Sequence, residues 1–279
     1  MRLRFELYSA GVLAPGVSSL TELLTLFRTG KCSVLEPPAL PIPKTLPANE
    51  RRRASQAVRL VLACAEQAML NSPYTPEQLR CVFASDEGSG EVCQQMLEAL
   101  ATTAQVSPLV FPNSVHNAPS GYFAIAYQNR QPAVSVSLGS DSFAGGLLCA
   151  VTDAATSGQP VLFVTYDLPL PEPMRSLLPI QHATASAWII ASDSGEQSGR
   201  TNGQPPAQAP LALFELSLHH TGANKVQPPP RWLPGSWAAN SSAQSFAVLA
   251  LLADGHGSCE FVLGAQRLCV TLVDAAAAC

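Results

Sequence analysis

The point in this sequence best suited to chemistry is a sharp turn between a strand and a helix. The alternating run Ala133–Leu138 predicts a strand, Gly139 breaks it, and an Ala-, Gly- and Leu-rich run from Ser142 predicts a buried helix. A turn of this kind presents one side chain above the unpaired backbone N–H groups of the helix start, where a nucleophile can act. Ser140 and Asp141 occupy the turn, so the residue there is either a nucleophile or a helix cap.

Ser140 lacks the sequence surroundings of an activated serine. The G-x-S-x-G elbow has a Gly two residues before the serine and another two residues after it, and those places hold Leu138 and Ser142. A serine also needs an orienting base. His116 has no carboxylate or cysteine at short spacing, and the run 219–222 is typical of the polar end of a strand. A serine-dependent acyltransferase or hydrolase that uses Ser140 is therefore kept only as an alternative.

The composition describes a chain with a large core and few surface charges. Of its 279 residues, 47% are hydrophobic and only 13% are charged, which predicts a large interface with a partner. The net charge of −4 argues against nucleic-acid binding. The apolar run near the start is too short for a signal peptide, and no stretch reaches membrane-spanning length. Eight cysteines without a CxxC pair predict core residues in a reducing cytoplasm, with no disulfide and no metal site.

Strands and helices alternate along the sequence, which predicts an α/β fold built in layers. The near-continuous apolar runs 160–166 and 183–192 predict strands that are covered on both faces of a sheet. A Gly-rich turn at 87–90 introduces the predicted helix 91–102. The other predicted elements are strands at 5–9, 80–85 and 211–219, a helix that Ser18 or Ser19 caps and Gly30 ends, helices at 49–70 and 241–253, and a strand or hairpin at 261–273.

The region around the turn resembles the core of a β-ketoacyl synthase of the thiolase superfamily. The family pattern there is a Pro, an Asn, a Gly, a G-P step, a strand and then a nucleophilic Cys at the helix start. Pro112, Asn117, Gly121 and Pro132 match this pattern, with Gln in place of the Gly of the G-P step. The family's Cys falls on Ser140, or on either neighbour if the turn slips by one, and none of the three is cysteine. The G-V-x-x-P-G loop and the helix near the start of the chain resemble the family too.

The resemblance also implies catalytic residues that this sequence lacks. A ketoacyl synthase forms a thioester on its Cys and uses two histidines, in H-G-T-x-T and G-H-x-x-G-A-A-G contexts, to decarboxylate the malonyl unit. Neither context is present. The resemblance covers residues 5–192 well and the remainder poorly. It implies a thiolase-like layered αβαβα fold with a shortened C-terminal half, divided into 1–192, a Ser/Gly/Gln/Pro-rich linker at 193–210, and a reduced strand–helix–strand part at 211–279 that packs on the first.

The resemblance is strongest to the shortened N-terminal-type ketoacyl synthase proteins of aryl polyene gene clusters, which are similar to chain-length factors. It implies a non-catalytic, cytoplasmic subunit without a cofactor, which pairs with a complete ketosynthase and shapes its acyl or polyene tunnel in aryl polyene or related polyketide- or fatty-acid-like biosynthesis. A purely structural scaffold subunit is another alternative. An acyl carrier protein is a further candidate partner, for which the three arginines at 51–53 are either a docking cluster or a solvated helix start.

The resemblance assigns two sets of residues to these roles. The predicted strand 133–138 would pair antiparallel with the equivalent strand of the partner, and the loop before it would reach the partner's active site. These interface residues are Phe111, Asn113, His116, Asn117, Val134, Val136 and Leu138. The helix 91–102 and one loop residue would wall the far end of the tunnel. These tunnel residues are Glu91, Gln95, Met96, Ala99 and Val110.

Overall fold

A mixed sheet of eight strands runs through the part of this protein that the computed structural model describes, residues 1–30, 36–193, 208–220, 234–237 and 239–275. The strands are β1 Arg2–Leu13, β2 Arg80–Ala84, β3 Ala133–Val136, β4 Val161–Asp167, β5 Thr184–Ser192, β6 Ala212–His220, β7 Ser258–Leu263 and β8 Gln266–Ala275. Their order in the sheet is β3-β2-β4-β5-β1-β6-β8-β7. The first three strands in this order are parallel, and the remaining neighbours are antiparallel.

Helices cover both faces of this sheet. They are α1 Leu20–Thr29, α2 Ala48–Arg53, α3 Gln56–Leu70, α4 Gly90–Thr103, α5 Ala118–Tyr127, α6 Ser142–Ser157 and α7 Gln244–Asp254. Short 3₁₀ turns lie at Pro76–Gln78, Phe111–Asn113, Met174–Leu177 and Gly235–Trp237. On one face, Phe143 and Leu147 of α6 join Phe246 of α7 in an apolar core. On the other face, Val61 of α3 and Phe123 of α5 belong to a second core. The layered α/β arrangement that the sequence predicts is therefore present.

Two predicted strands differ in length from the observed ones. The sequence predicts 5–9 for the first strand, but pairing with β5 continues as far as Leu13. It predicts 133–138 for the strand before the turn, but β3 ends at Val136. Beyond that point the Ser137 hydroxyl donates to Asp86 O at 2.7 Å. The buried strands β4 and β5 follow the two apolar runs closely, because a strand covered on both faces leaves an uninterrupted apolar signal.

The predicted single helix 49–70 is wrong, because the chain forms α2 and α3 with a break between them. Ala54 leaves the helical conformation at ψ 115°. Ser55 then caps α3, and its hydroxyl oxygen accepts a hydrogen bond from Val58 N at 3.3 Å. Serine is among the residues most favoured at this position. An apolar stripe at helical spacing runs through such a short break, so periodicity alone does not reveal it.

The C-terminal part of the chain adds three strands to the sheet. β6 pairs with β1, and the hairpin β7–β8 pairs with β6 through β8. A hairpin is one of the two forms predicted for 261–273. Most of the predicted linker 193–210 lies outside the described residues, as do 221–233, Cys32 and Cys279. Within the described ranges, no helix is both long and apolar enough to cross a membrane.

Gly11 marks the closest approach between the sheet and α3. A Cβ at this position would overlap the Cys64 carbonyl oxygen and crowd Gln67. Two residues earlier on β1, the Ser9 hydroxyl donates to Ala68 O at 2.6 Å. The backbone of α3 thus lies directly on β1, and only glycine leaves room for it.

We predict that Gly11→Ala destabilises the protein by about 1–3 kcal/mol or more, because the new methyl group meets backbone that cannot rotate aside. Gly121→Ala is the matched control. It lies inside α5 with nothing within 4 Å of a new Cβ, so it should be neutral or stabilising by up to about 1 kcal/mol. Pulse proteolysis in urea at low protein concentration measures both. Equal midpoints for Gly11→Ala and the wild type would contradict the close contact.

Candidate functional site

Ser140 lies at the surface, between β3 and the start of α6. Its hydroxyl donates to the Asp141 carboxylate at 3.3 Å. Across the described ranges, no histidine makes a hydrogen bond to Ser140. His116 Nε2 lies 3.4 Å from Ser85 O, and His219 bonds within its own strand, β6. Among the described residues, Ser140 is therefore not paired with a histidine that could act as its base.

Backbone N–H groups at the start of α6 already have protein acceptors. Asp141 N donates to Leu138 O at 3.2 Å, and Ser142 N donates within the same turn at 3.0 Å. Phe143 N donates to the Ser241 hydroxyl oxygen at 2.9 Å in a buried position. Donors of this kind stabilise an oxyanion when they point at a reacting group. Here they hold the turn and the C-terminal segment in place.

The tip of the β7–β8 hairpin packs against the same turn. Asp141 stands at the N-cap position of α6, but its side chain makes no cap bond. Its carboxylate accepts instead from Gly264 N at 2.8 Å. A Cβ on Gly145 would meet both Leu138 and Leu263, so the strand end and the hairpin tip come together over α6. Asp141 is thus the predicted cap residue by position, but its side chain makes no capping hydrogen bond.

β3 is an edge strand, and one of its sides is free. It pairs only with β2 among the described strands. The carbonyl oxygens of Pro132 and Val136 accept hydrogen bonds from the chain of β2 and its end. Because backbone groups alternate along a strand, the N–H and C=O of Ser135 point away from the sheet. Val134 is 44% exposed, whereas Val136 packs partly against the core below α6.

The loop before α5 lies at the surface, with one exception. Phe111 is 58% exposed, Asn117 is exposed at the start of α5, and His116 is half-buried. Asn113 is only 5% exposed, and its amide donates to Arg53 O at 3.1 Å. Asn113 thus anchors the loop to α2 of its own chain, and its contact with a partner stays a prediction.

Exposed apolar side chains are concentrated in the segment 97–138. Of fourteen large hydrophobic residues that are exposed within the described ranges, eight lie in this segment. They are Leu97, Leu100, Leu109, Phe111, Val115, Ile125, Val134 and Leu138. The segment is continuous in space, since α4 contacts the 3₁₀ turn at Phe111–Asn113 and α5 contacts β3. We call the surface formed by these eight residues the apolar segment. A concentration of this kind is typical of a surface that a partner covers.

Helix α4 contributes little to the core of its own chain. Its buried residues are Gly90, Val92 and Gln94, all in the first turns. Most of the predicted tunnel residues on α4 lie beyond these first turns, and Val110 lies in the loop that follows the helix. Gln95 is exposed, and the half-buried members are Glu91, Met96, Ala99 and Val110. Their face of the helix is therefore available to a neighbouring molecule.

A cavity of about 330 Å³ opens beside the start of α4. Its walls are the Gly-rich turn, the first residues of α3 and α4, and the loop 168–175. Its polar lining residues are Ser55, Gln56, Glu87, Ser89, Glu91 and Arg175. Among the predicted tunnel residues, only Glu91 lines it. The cavity could not be predicted from the sequence, because its walls come from segments that are distant along the chain.

Three carboxyl groups lie close to the Gly-rich turn. Burial raises the pKa of Asp167 to about 6. Burial, together with the charges of Asp167 and Asp86, raises the pKa of Glu87 to about 6. The pKa of Asp86 is also raised by burial. This side of the cavity is therefore electronegative, and it disfavours further negative charge.

Asp167 connects three parts of the chain. The carboxylate accepts from Asp86 N at 2.9 Å and from the Ser85 hydroxyl at 3.3 Å, just after β2. It also accepts from Ser242 N at 2.6 Å, just before α7. Sequence reasoning missed this residue, although an Asp at the end of an otherwise apolar strand was a usable signal.

The remaining candidates from the sequence are a metal site, the cysteines and the arginine cluster. In the described part of the chain, no group of three His, Cys, Asp or Glu side chains could hold a metal ion, and the described cysteines are free. In the arginine cluster, the Arg51 guanidinium donates to Leu46 O at 2.8 Å and to Lys44 O at 3.0 Å. Arg52 bonds to Asn49, and Arg53 lies 3.8 Å from the Glu50 carboxylate. Arg51 thus stabilises the preceding loop.

Comparison with protein families gives one match, to the N-terminal domain of β-ketoacyl synthases, over residues 31–226. No protein of curated function matches the sequence. Solved structures of similar fold include a ketosynthase (ApeO) in complex with its chain length factor (ApeC) from Xenorhabdus doucetiae. That match has 21% identity and a TM-score of 0.70, and it covers 96% of this chain and 99% of the other.

Two further structures of similar fold show how much of each chain is shared. One is a type II polyketide acyl-carrier protein in complex with its ketosynthase bound to the hexaketide, with 10% identity, a TM-score of 0.74, and coverage of 99% and 100%. The other is a ketosynthase of the bacillaene polyketide synthase from Bacillus amyloliquefaciens, with 12% identity and a TM-score of 0.58. It covers 80% of this chain but only 46% of the other. The predicted thiolase-like fold with a shortened C-terminal half is confirmed.

Proposed function

Because this chain belongs to the family of β-ketoacyl synthase N-terminal domains, we propose that it is a non-catalytic chain-length factor. In this role it forms a heterodimer with a complete ketosynthase and shapes the tunnel that holds the growing acyl or polyene chain. The biosynthetic setting is aryl polyene or related polyketide- or fatty-acid-like synthesis. The observation that carries the proposal is the turn before α6, where Ser140 replaces the expected cysteine and the N–H groups of Asp141, Ser142 and Phe143 already have acceptors.

The chemistry of this turn supports a non-catalytic role. A serine hydroxyl without a base is a weak nucleophile, and thioester exchange relies on a thiolate. Attack by Ser140 on an acyl carbonyl would create an oxyanion that needs free N–H donors, and Phe143 N is already bonded to Ser241. The carbon–carbon bond formation is therefore assigned to the ketosynthase partner, and this chain contributes shape.

The free edge of β3 and the apolar segment support pairing with a ketosynthase. The outward backbone groups of Ser135 would bond to the equivalent strand of the partner, joining the two sheets. Val134, Leu138 and Phe111 would be buried in the same interface. A structure of similar fold contains a ketosynthase together with its chain length factor. The low charge content of the chain fits the same arrangement, because a permanent partner removes much of its surface from water.

The outward face of α4 supports a role in setting product length. Gln95 and Ala99 are four residues apart and therefore lie on one face, with Glu91 one turn earlier. This face does not fill the core of its own chain. In the heterodimer it would close the end of the partner's tunnel, and packed walls of this kind do not stretch to admit extra carbons. The acyl carrier protein would deliver chains to the ketosynthase side of the complex.

Replacing the serine of the turn tests the non-catalytic role. We predict that Ser140→Ala leaves the turnover of the assembled complex unchanged, because among the described residues its hydroxyl bonds only to Asp141. Product formation by the reconstituted complex measures this, with a complex built on an inactivated ketosynthase as the reference for complete loss. A decrease of roughly a hundredfold or more in turnover, with assembly intact, is the size expected for a catalytic group. That result would favour the serine-dependent enzyme instead.

Removing one outward backbone donor tests the placement of the interface. We predict that Ser135→Pro abolishes co-purification with the ketosynthase, because proline has no N–H but is tolerated on the free side of an edge strand. Ser135→Ala is the matched control, since it keeps the N–H and should still assemble. Val134→Asp should also prevent assembly, because burying an unpaired carboxylate costs several kcal/mol. Size-exclusion chromatography is the measurement, and a stable heterodimer of Ser135→Pro would place the interface elsewhere.

Enlarging the face of α4 tests the role in product length. We predict that Ala99→Phe or Gln95→Trp shortens the product without slowing the first condensation, and that Met96→Ala permits longer products. Leu70→Phe adds volume at an exposed site on α3 and is the control. Mass spectrometry of the products gives the length distribution. If Ala99→Phe lowers the yield at every length alike, the effect is overpacking within the chain, and a scaffold without a tunnel becomes the better description.

A further inference from the structure

The turn between β3 and α6 presents a large apolar side chain to solvent. Leu138 comes directly after the free edge strand and is 53% exposed, and Val134 on that strand is exposed as well. Inside the turn, the buried Ser142 hydroxyl accepts from Leu138 N at 2.9 Å and donates to Gly139 O at 2.7 Å. The backbone at Leu138 is therefore held in place, while its side chain is available to a molecule that covers the edge.

Two contacts from the C-terminal part of the chain hold the outer side of this turn. The Asp141 carboxylate accepts from Gly264 N at 2.8 Å, at the tip of the β7–β8 hairpin. The Gln244 amide, in the first turn of α7, donates to Ser140 O at 3.1 Å. A two-residue hairpin turn leaves the N–H groups of its central residues outside the strand ladder, so Gly264 N is free to donate to another segment.

The direction of the Asp141 carboxylate is unusual for its position. An Asp at the N-cap of a helix normally accepts from the N–H groups two or three residues further on. Here Phe143 N, two residues further on, donates to Ser241, and the Asp141 side chain makes no cap bond. The carboxylate therefore joins two segments that are distant along the chain.

The side chain of Leu138 lies over α6, next to the hairpin. A Cβ on Gly145 of α6 would overlap Leu138 Cδ1 and would lie 3.6 Å from Leu263 Cδ1. Leu263 ends β7 and packs partly against the core. Leu138 thus has α6 beneath it and the hairpin beside it, so its orientation depends on where the turn and the hairpin tip are held.

Resting on the proposed function above, we propose that Asp141 is a positioning residue for the interface with the ketosynthase. Its bond to the hairpin tip holds the turn in the shape that presents Leu138 to the partner. A side chain that is ordered before association loses less conformational entropy when it is buried. The C-terminal hairpin therefore contributes to the affinity of the heterodimer through the turn.

A double-mutant cycle tests this proposal. Biolayer interferometry gives the Kd of the heterodimer for the wild type, Asp141→Ala, Leu138→Ala and the double variant. We expect Asp141→Ala to raise the Kd about threefold to tenfold, the effect of one lost hydrogen bond. In the Leu138→Ala background the same change should have little further effect, because residues that act through one another are not additive. Asp141→Asn keeps an acceptor oxygen and should restore the wild-type Kd.

Two further variants separate this role from other effects of the substitution. Asp141→Ser keeps a favoured N-cap residue with a side chain one bond shorter, and it should raise the Kd as Asp141→Ala does. Asp254→Ala removes an exposed carboxylate at the other end of α7 and should leave the Kd unchanged.

The result also distinguishes this inference from the function on which it rests. An unchanged Kd in Asp141→Ala, or an equal rise in both backgrounds, would overturn the positioning role and leave the chain-length role intact. Failure of the wild type to form a heterodimer with a ketosynthase would overturn the proposed function, and this inference with it.

Discussion

One buried carboxylate connects the parts of this structure on which the proposed function depends. Asp167 ends β4 and accepts hydrogen bonds from the end of β2 and from the segment before α7. The first contact fixes the Gly-rich turn from which α4 starts. The second fixes Ser242, whose neighbour Ser241 accepts from Phe143 N at the start of α6. The cavity, the proposed tunnel wall and the closed turn therefore depend on the same ionisable group, which is retained in the core because backbone donors surround it.

Local sequence patterns account for most of the framework. Apolar runs located β4 and β5, and a strand followed by a Gly and a small-residue helix located the turn and α6, because these signals depend only on neighbouring residues. The break between α2 and α3 was missed, since one capping Ser does not interrupt the apolar stripe. The resemblance of a few residues around Asn117 and Pro132 to a known family supplied the architecture that local patterns do not contain.

Most of the contacts that define the site could not be predicted from the sequence. The bond from Gly264 to Asp141 joins residues 123 positions apart, and the bond from Phe143 to Ser241 joins residues 98 positions apart. No local pattern reports such pairs. Asn113 was assigned to an interface from its neighbours in the loop, but its amide finds a partner in its own chain. Burial of a single polar side chain is decided by what packs on it, which is a property of the tertiary structure.

Because α4 contributes few buried residues to the core of its own chain, its sequence can change more easily in evolution than that of the core. Beyond its first turns this helix has no fully buried residue, so most substitutions at its exposed positions change the free energy of unfolding by less than about 0.5 kcal/mol. Folding therefore places little selection on the exposed Gln95, and less on the half-buried Met96 and Ala99 than on residues of the core. A property that depends on their size can change in a single mutational step, without a compensating change elsewhere. If the outward face sets product length as proposed, stability and product length depend on different faces of the same helix and can change separately.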